Sequence, residues 1–224
     1  LDGGAGDDVL IGGRGADTLT GGVGVDIADY ALSLDGITID LVDGTSGSGD
    51  AEGDTFSGIE IIQASNNDDT ILGDDADNIF RGRLGADTLD GRGGTDTADY
   101  TGADEAVSVD LAQGLGLSGE ATGDVYISIE KVEGTSFADT FVGSVAGDIF
   151  EGGFGNDTIL GGDGSDTYLF GFDSAEDIIT ETGSASDTDR LVLDEALAPT
   201  DVSIVREGND LLVELERDDG FLID

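Results

Sequence analysis

A nine-residue unit of the form Gly-Gly-x-Gly-x-Asp-x-apolar-x recurs eleven times in this chain and limits its fold more than any other feature. Clear copies begin at Gly3 and at Gly152. The glycines allow backbone angles that are barred to most side chains, which favours a tight turn over the first six positions. The last three positions suffice for a short strand with one apolar side chain facing inward. Such units predict a stack of coils with aspartates at the turns.

The repeats fall into three clusters, and two stretches without the pattern separate them. A block of 70 residues also occurs in tandem, so that Tyr30 and Glu60 return as Tyr100 and Glu130. The predicted segments are repeat clusters at residues 1–30, 64–100 and 134–170, insertions at 31–63 and 101–133, and a C-terminal part at 171–224.

Alternating apolar and polar residues predict strands outside the clusters. Residues 37–41 and 107–111 are rich in β-branched side chains, so each insertion is expected to form a half-buried strand, loop out and return to the stack. Later strands are predicted at 177–179, 189–193, 202–205 and 211–215, with a short helix at 196–198. Residues 220–224 are expected to pair with 211–215, in preference to acting as a secretion signal. The chain is therefore predicted to be all-β, with a C-terminal β cap.

The eighth position of each unit is expected to face the core, because the central residue of a three-residue strand points away from its two neighbours. These positions hold Leu10, Leu19, Ala28, Ile71, Phe80, Leu89, Ala98, Phe141, Phe150, Ile159 and Tyr168. Tyr30 and Tyr100 are predicted to fill the core where the repeat pattern stops.

Two units complete one coil of about 18 residues, so turns two units apart stack at the spacing of neighbouring strands, about 4.7–4.9 Å. Carboxylates at that distance repel each other, and a cation between them reverses the sign of the interaction. The predicted stacked pairs are Asp8 with Asp26, Asp69 with Asp87, Asn78 with Asp96, Asp139 with Asp157, and Asp148 with Asp166. We therefore expect about five cation sites or more, with additional sites at cluster edges.

The charge balance of the chain indicates the same need for cations. Its 51 acidic and 8 basic residues give a formal net charge of -43, and 39 of its 224 residues are glycine. Charge repulsion and a backbone-ordering cost of about 1–2 kcal/mol per residue oppose folding, so the metal-free chain is expected to be largely unfolded. An acidic disordered tail or a halophilic surface would share this composition. Neither explains the apolar residue that follows each repeat aspartate by two positions.

The residue types that the chain lacks exclude several kinds of site and partner. It has no cysteine and no histidine, which removes disulfides and the commonest zinc ligand and leaves oxygen donors that suit a hard cation. There is no basic patch for nucleic acid and no apolar run near the roughly 20 residues of a membrane span. No cleavable signal is visible. Because Leu1 and Asp2 match the end of a preceding unit, the chain is predicted to be part of a longer protein.

The repeated unit resembles the nonapeptide of RTX, or haemolysin-type, calcium-binding domains. The resemblance implies a right-handed parallel β-roll that holds several Ca²⁺ ions. The expected side-chain ligands occupy the sixth position of each unit: Asp8, Asp17, Asp26, Asp69, Asn78, Asp87, Asp96, Asp139, Asp148, Asp157 and Asp166. The resemblance also implies ligation by backbone carbonyl oxygens of the second and fourth positions, here Gly4, Gly6, Gly13, Gly15, Gly22, Gly24, Gly85, Gly94, Gly153, Gly155, Gly162 and Gly164.

Six further acids lie outside the repeat register: Asp54, Glu60, Asp124, Glu130, Asp177 and Asp189. The first four either bind calcium at a cluster edge or only solubilise a turn or strand edge. The last two resemble acids that bind calcium just after the roll in related domains. Arg83 and Arg92 replace glycine at the second position, and the first units of clusters two and three are degenerate, so these four units are expected to bind more weakly.

The resemblance implies a non-catalytic, calcium-dependent folding module of a secreted bacterial exoprotein or adhesin. Sites with Kd values of about 10⁻⁴–10⁻³ M stay empty at cytosolic calcium levels and fill outside the cell. Such a chain would pass unfolded through the type I secretion machinery and fold when it meets calcium. The alternatives are a carboxylate pair that acts on carbohydrate, an accessory module of a secreted hydrolase or epimerase, and glycan or cell-surface binding through the two insertions.

Overall fold

The computed structural model describes residues 1–171, 176–184, 186–193, 202–207 and 210–215. Strands of the roll alternate between two sheets. The first sheet contains, in spatial order, Asp2–Ala5, Thr18–Val23, Thr55–Ser57, Thr45–Ser48, Thr38–Asp40, Thr70–Leu72, Thr88–Asp90, Val125–Ile127, Leu115–Ser118, Ser108–Asp110, Thr140–Val142, Thr158–Leu160 and Ile178–Thr180. The second contains Val9–Leu10, Ile27–Asp29, Ile61–Gln63, Ile79–Arg81, Thr97–Asp99, Lys131–Glu133, Ile149–Glu151, Thr167–Phe170 and Arg190–Leu193.

Neighbouring repeat strands pair in parallel, and their register follows the 18-residue coil. Ile71 lies opposite Leu89 in the first sheet, and Phe80 lies opposite Ala98 in the second. Each coil therefore gives one strand to each sheet, which confirms the predicted parallel β-roll.

The core runs between the two sheets. All eleven residues predicted to face inward are buried, from Leu10 at 7% exposed to Phe80 and Phe150 at 0%. Phe141, Phe150 and Tyr168 stack along the roll with ring centroids 5.9 and 6.1 Å apart. Apolar contact and backbone pairing thus account for the stacking of the strands, and the turns at their ends carry the acids.

The two insertions contain the predicted strands but stay within the stack. In the first, Thr38–Asp40 pairs antiparallel with Thr45–Ser48, which pairs antiparallel with Thr55–Ser57. A short 3-10 turn, Gly49–Ala51, joins the last two of these strands. The second insertion repeats this arrangement, with a 3-10 turn at Gly119–Ala121. In both insertions these three strands continue the first sheet, because the outer two pair with repeat strands on either side, as Thr55 does with Thr18.

The C-terminal part extends the roll and then forms a separate hairpin. The strands predicted at 177–179 and 189–193 are present as Ile178–Thr180 and Arg190–Leu193, and they add one strand to each sheet. Val202–Glu207 and Asp210–Leu215 pair antiparallel. The predicted helix at 196–198 and strand at 220–224 lie outside the described residues. In the part of the chain that the structure describes, no helix has the length and hydrophobicity to span a membrane.

Candidate calcium-binding site

In each repeat unit, and at six positions outside the repeats, an acid or amide lies directly before a strand, and these residues form two columns. The first column precedes strands of the first sheet: Asp17, Asp54, Asp69, Asp87, Asp124, Asp139, Asp157 and Asp177. The second column precedes strands of the second sheet: Asp8, Asp26, Glu60, Asn78, Asp96, Glu130, Asp148, Asp166 and Asp189. Acids from the clusters, the insertions and the C-terminal part therefore share one register.

The structure brings together all five pairs that the sequence predicts. In each pair the backbone N–H of the N-terminal member donates a hydrogen bond to a carboxylate oxygen of the C-terminal member. The donor–acceptor distances are 2.9 Å for Asp8 to Asp26 and 2.8 Å for Asp69 to Asp87, Asn78 to Asp96, Asp139 to Asp157 and Asp148 to Asp166.

The six acids outside the repeat register continue the same contact. Each accepts the backbone N–H of the last cluster residue in its column: Asp54 from Asp17 at 2.7 Å, Glu60 from Asp26 at 2.9 Å, Asp124 from Asp87 at 2.9 Å, Glu130 from Asp96 at 3.0 Å, Asp177 from Asp157 at 2.8 Å and Asp189 from Asp166 at 3.2 Å. Asp17, which has no partner in its own cluster, thus stacks on Asp54.

Backbone carbonyl oxygens point from one turn toward the next. A methyl group added at Gly22 would lie 2.1 Å from the carbonyl oxygen of Gly4, and one at Gly24 would lie 2.3 Å from that of Gly6. All twelve glycines predicted as carbonyl ligands have φ between +77° and +147°. The positive φ favours glycine at all twelve positions, and at Gly22 and Gly24 the close approach of the preceding turn excludes a side chain as well.

Carbonyls of residues other than glycine occupy the same position. The oxygens of Asn67, Ala76, Thr135, Phe137, Ser144 and Ala146 face the glycine one coil later at 2.1–2.8 Å from its added methyl group. The sequence reasoning missed these six because it followed the glycines. The repeat register itself is the signal that identifies them, since each lies at the second or fourth position of its unit.

Unpaired buried oxygens mark the space between the stacked turns. Among the described residues, six carboxylate oxygens are buried without a hydrogen-bond partner: Oδ2 of Asp8, Asp26, Asp87, Asp96, Asp157 and Asp166. Five of these six belong to the C-terminal member of a predicted pair. An ionised oxygen buried without a donor is strongly destabilising, so it requires a cation or a proton. A set made only of carboxylate and carbonyl oxygens fits Ca²⁺.

Burial also changes the acidity of these groups. Desolvation raises the pKa of Asp87 to about 8 and those of Asp96 and Asp157 to about 7. It also raises the pKa of Asp166 above the usual range for an aspartate. Without a cation, Asp87, Asp96 and Asp157 therefore favour protonation near neutral pH.

Two acids in the insertions accept hydrogen bonds from tyrosine hydroxyls. Tyr30 donates its hydroxyl hydrogen to Oδ2 of Asp54 at 2.6 Å, and Tyr100 donates to Oδ2 of Asp124 at 2.6 Å. Both tyrosines are buried, as predicted, and Tyr100 also contacts the hydroxyl of Tyr126. Both oxygens of Asp54 and of Asp124 therefore have protein donors.

At the C-terminal end of the second column, a third carboxylate lies beside those of Asp166 and Asp189, and the sequence reasoning missed it. One carboxylate oxygen each from Asp166, Glu181 and Asp189 lies within 4.8 Å of the other two. Tyr168 donates its hydroxyl to Glu181. Glu181 occupies the place that glycine holds at the first position of a repeat, so only the stacked structure reveals its proximity.

Arginines occupy the second position in the last two units of cluster two. Arg92 makes a two-pronged ion pair with Asp40, at 2.8 and 2.6 Å, and donates to the carbonyl oxygen of Gly73 at 2.9 Å. Arg83 donates to the side-chain oxygen of Asn66 at 2.9 Å. Both arginines adopt positive φ, +68° for Arg83 and +66° for Arg92, which is a costly backbone conformation for a residue with a side chain.

Comparison with known proteins agrees with this geometry. A family model described as the RTX calcium-binding nonapeptide repeat matches in four copies, at residues 1–28, 54–89, 63–98 and 133–168. The second copy begins at Asp54, inside the first insertion, where the structure also shows a continuing column. No curated protein matches the chain. The chain carries a parallel β-roll of the RTX calcium-binding nonapeptide repeat family.

Proposed function

We propose that this chain is a calcium-dependent folding module of a bacterial protein that is exported by type I secretion. Several structural Ca²⁺ ions, about five or more, would lie between its stacked turns. The observation that carries the proposal is the unpaired, buried Oδ2 atom in the C-terminal member of all five predicted pairs. RTX repeats bind calcium, and proteins that contain them are typically secreted.

The ligands we assign are the sixth-position side chains together with carbonyl oxygens at the second and fourth positions of each preceding turn. Glu60, Glu130, Asp177 and Asp189 extend the columns and join this set. We leave Asp54 and Asp124 out of this set, because tyrosine hydroxyls already donate to both residues.

Calcium would supply the free energy that the apolar core does not. The net charge of -43 opposes compaction, and the core at each coil is narrow, with alanine at some inward positions. Binding free energy at sites that exist only in the folded state becomes folding free energy. At cytosolic calcium the chain would stay unfolded, which suits transport, and external calcium would fold it.

A calcium titration tests the proposed function. The full chain is treated with chelator and titrated with CaCl₂ or with MgCl₂, while far-UV circular dichroism follows β content and calorimetry counts ions. We expect a cooperative change from coil to β with calcium and little change with magnesium, whose rigid octahedral preference suits carbonyl-rich turns poorly. Full β content without calcium, or equal folding with magnesium, would refute the proposal.

A further inference from the structure

The repeat turns divide into two kinds according to the residue at their second position. In seven turns this residue is Gly or Arg with positive φ: Gly4, Gly13, Gly22, Arg83, Arg92, Gly153 and Gly162. In six of these seven, Oδ2 of the aspartate four residues later is buried and unpaired. The aspartate of the seventh turn, Asp17, is only half-buried. We call turns of this kind open turns.

The other four repeat turns have Ser, Thr or Asp at the second position, and we call them closed turns. There the backbone N–H of the second residue donates to the side-chain oxygen of the sixth: Ser65 to Asp69 at 2.9 Å, Asp74 to Asn78 at 2.9 Å, Thr135 to Asp139 at 2.6 Å and Ser144 to Asp148 at 2.6 Å. In a closed turn, the oxygen that corresponds to the unpaired one therefore accepts a hydrogen bond from the second residue of the same turn.

Hydroxyl groups add a further donor in three of the four closed turns. The side chain of Ser65 donates to Asp69 at 2.9 Å, that of Thr135 to Asp139 at 3.1 Å, and that of Ser144 to Asp148 at 3.2 Å. These bonds favour the ionised carboxylate, although burial still raises the pKa of Asp69, Asp139 and Asp148 above the usual range for an aspartate. In a closed turn, a cation would have to compete with donors that are already in place.

The two arginines show that an open turn does not require glycine. Positive φ costs a residue with a side chain roughly 1–2 kcal/mol, and closing the turn would relieve that cost. Arg83 and Arg92 nevertheless keep their turns open. Strain of this kind persists at sites where a ligand or function requires the conformation.

We propose that the second residue of each nonapeptide decides whether the space before its turn takes calcium. Gly or Arg at that position opens the turn to an ion, whereas Ser, Thr or Asp closes it by donating its backbone N–H, and in Ser and Thr also its hydroxyl, to the sixth residue. This inference rests on the proposed calcium-dependent function and adds the residue that selects the occupied spaces.

The order of open and closed turns then determines which spaces along the roll hold an ion. The two closed turns of cluster two, and likewise of cluster three, are the first two of the cluster, next to an insertion. The spaces between Glu60 and Asn78 and between Glu130 and Asp148 therefore hold no ion, although each is bordered by an acid. Calcium sites are restricted to the spaces that open turns border.

Reciprocal substitutions at Arg83 and Ser144 test this inference. Arg83→Ser places a closing residue in an open turn, and its matched control is Arg83→Gly, which also loses the contact with Asn66. Ser144→Gly removes the closing hydroxyl and permits positive φ, and its control is Ser144→Ala, which keeps the backbone donor. Bound Ca²⁺ is counted on the full chain at saturating calcium by native mass spectrometry, and circular dichroism reports folding.

We expect Arg83→Ser to bind one ion fewer than Arg83→Gly, and Ser144→Gly to bind one more than Ser144→Ala. Equal counts within either pair would overturn the inference, and if Arg83→Ser does not fold, the Ser144 pair decides alone. Loss of an ion in Ser144→Ala would identify the hydroxyl as a calcium ligand and would also overturn it. A wild-type chain that binds no calcium would instead refute the proposed function.

Discussion

The repeat clusters and the insertions place their acids in the same columns but satisfy them differently. Asp87 of cluster two keeps a buried oxygen without a partner, whereas Asp124, stacked directly on it, accepts a hydroxyl from Tyr100. Asp54 is likewise bonded to Tyr30 in the first insertion. Stacking therefore does not by itself create a cation site. On our proposal, a site arises only where the protein leaves an oxygen without a donor.

Removing the carboxylate of Asp87 should have the largest effect on this contrast. We expect Asp87→Asn to bind one ion fewer and to lose about 2.7 kcal/mol of stability at calcium a hundredfold above Kd, because the ligand no longer favours the folded state at that site. Native mass spectrometry and thermal unfolding measure the two effects.

The matched control is Asp124→Asn, one coil later in the same column. Because protein donors already satisfy both oxygens of Asp124, this variant should keep every ion. An ion count that falls by one in Asp124→Asn would show that a tyrosine-bonded aspartate also binds calcium, and the contrast between clusters and insertions would be wrong.

The pH dependence of the metal-free chain provides a second test. Burial raises the pKa of Asp87 to about 8 and those of Asp96 and Asp157 to about 7 in the folded state, against about 3.9 in an unfolded chain. Such groups stabilise the fold fully below the unfolded pKa, and this contribution is lost as pH rises through the folded pKa. With chelator present, β content should rise as pH falls from about 8 to 4.

Calcium should reverse that dependence. Protons compete with Ca²⁺ for the same oxygens, so the calcium concentration at half-folding should increase as pH falls through 7. Circular dichroism titrations at several pH values measure both trends. A midpoint that is constant over this range would mean that the unpaired oxygens do not bind the ion.

Loss of a tyrosine hydroxyl should have a smaller effect. Tyr30→Phe leaves Oδ2 of Asp54 without its donor, which should cost about 1–3 kcal/mol in calcium-loaded protein. Tyr100→Phe should cost less, because Tyr126 also approaches Asp124, at 3.4 Å. The ion count should not change in either variant. Thermal unfolding of the two variants side by side measures the difference, and equal costs would contradict the assigned partners.

The smallest effect should come from the ion pair of Arg92 with Asp40. Lysine cannot make the two-pronged contact, but the pair is partly exposed, so Arg92→Lys should cost about 0–1 kcal/mol. The variant should keep its ion count, since Arg92 acts through its backbone conformation at the turn. Chemical denaturation in saturating calcium measures the cost, and a loss above about 2 kcal/mol would indicate that the guanidinium does more than pair with Asp40.

The period and register of the repeated unit were enough to predict a stack of coils, the inward residues and the stacked pairs, and the family resemblance implied the parallel β-roll. The insertions were harder to predict. Their strands were recognised at 37–41 and 107–111, but the hairpin that keeps each insertion in the first sheet depends on pairing with coils that are distant in sequence. For the same reason, the sequence did not show that Asp54 and Glu60 continue the two columns.

The division of turns into open and closed kinds could not be predicted from residue types alone. Ser65 and Thr135 appeared only as departures from glycine, whereas the structure shows that their donors reach the aspartate of the same turn. Arg83 and Arg92 departed from glycine as well, yet they keep positive φ. Backbone conformation at one position, which side-chain chemistry only partly determines, separates the two kinds.

Thermal unfolding of the chelator-treated chain tests the central claim most directly. If divalent ions are needed between the stacked carboxylates, the treated chain at neutral pH should show little β content and no cooperative transition, and added calcium should restore both. A chelator-treated chain that keeps its sheets and unfolds at the same temperature as the calcium-loaded protein would contradict this account.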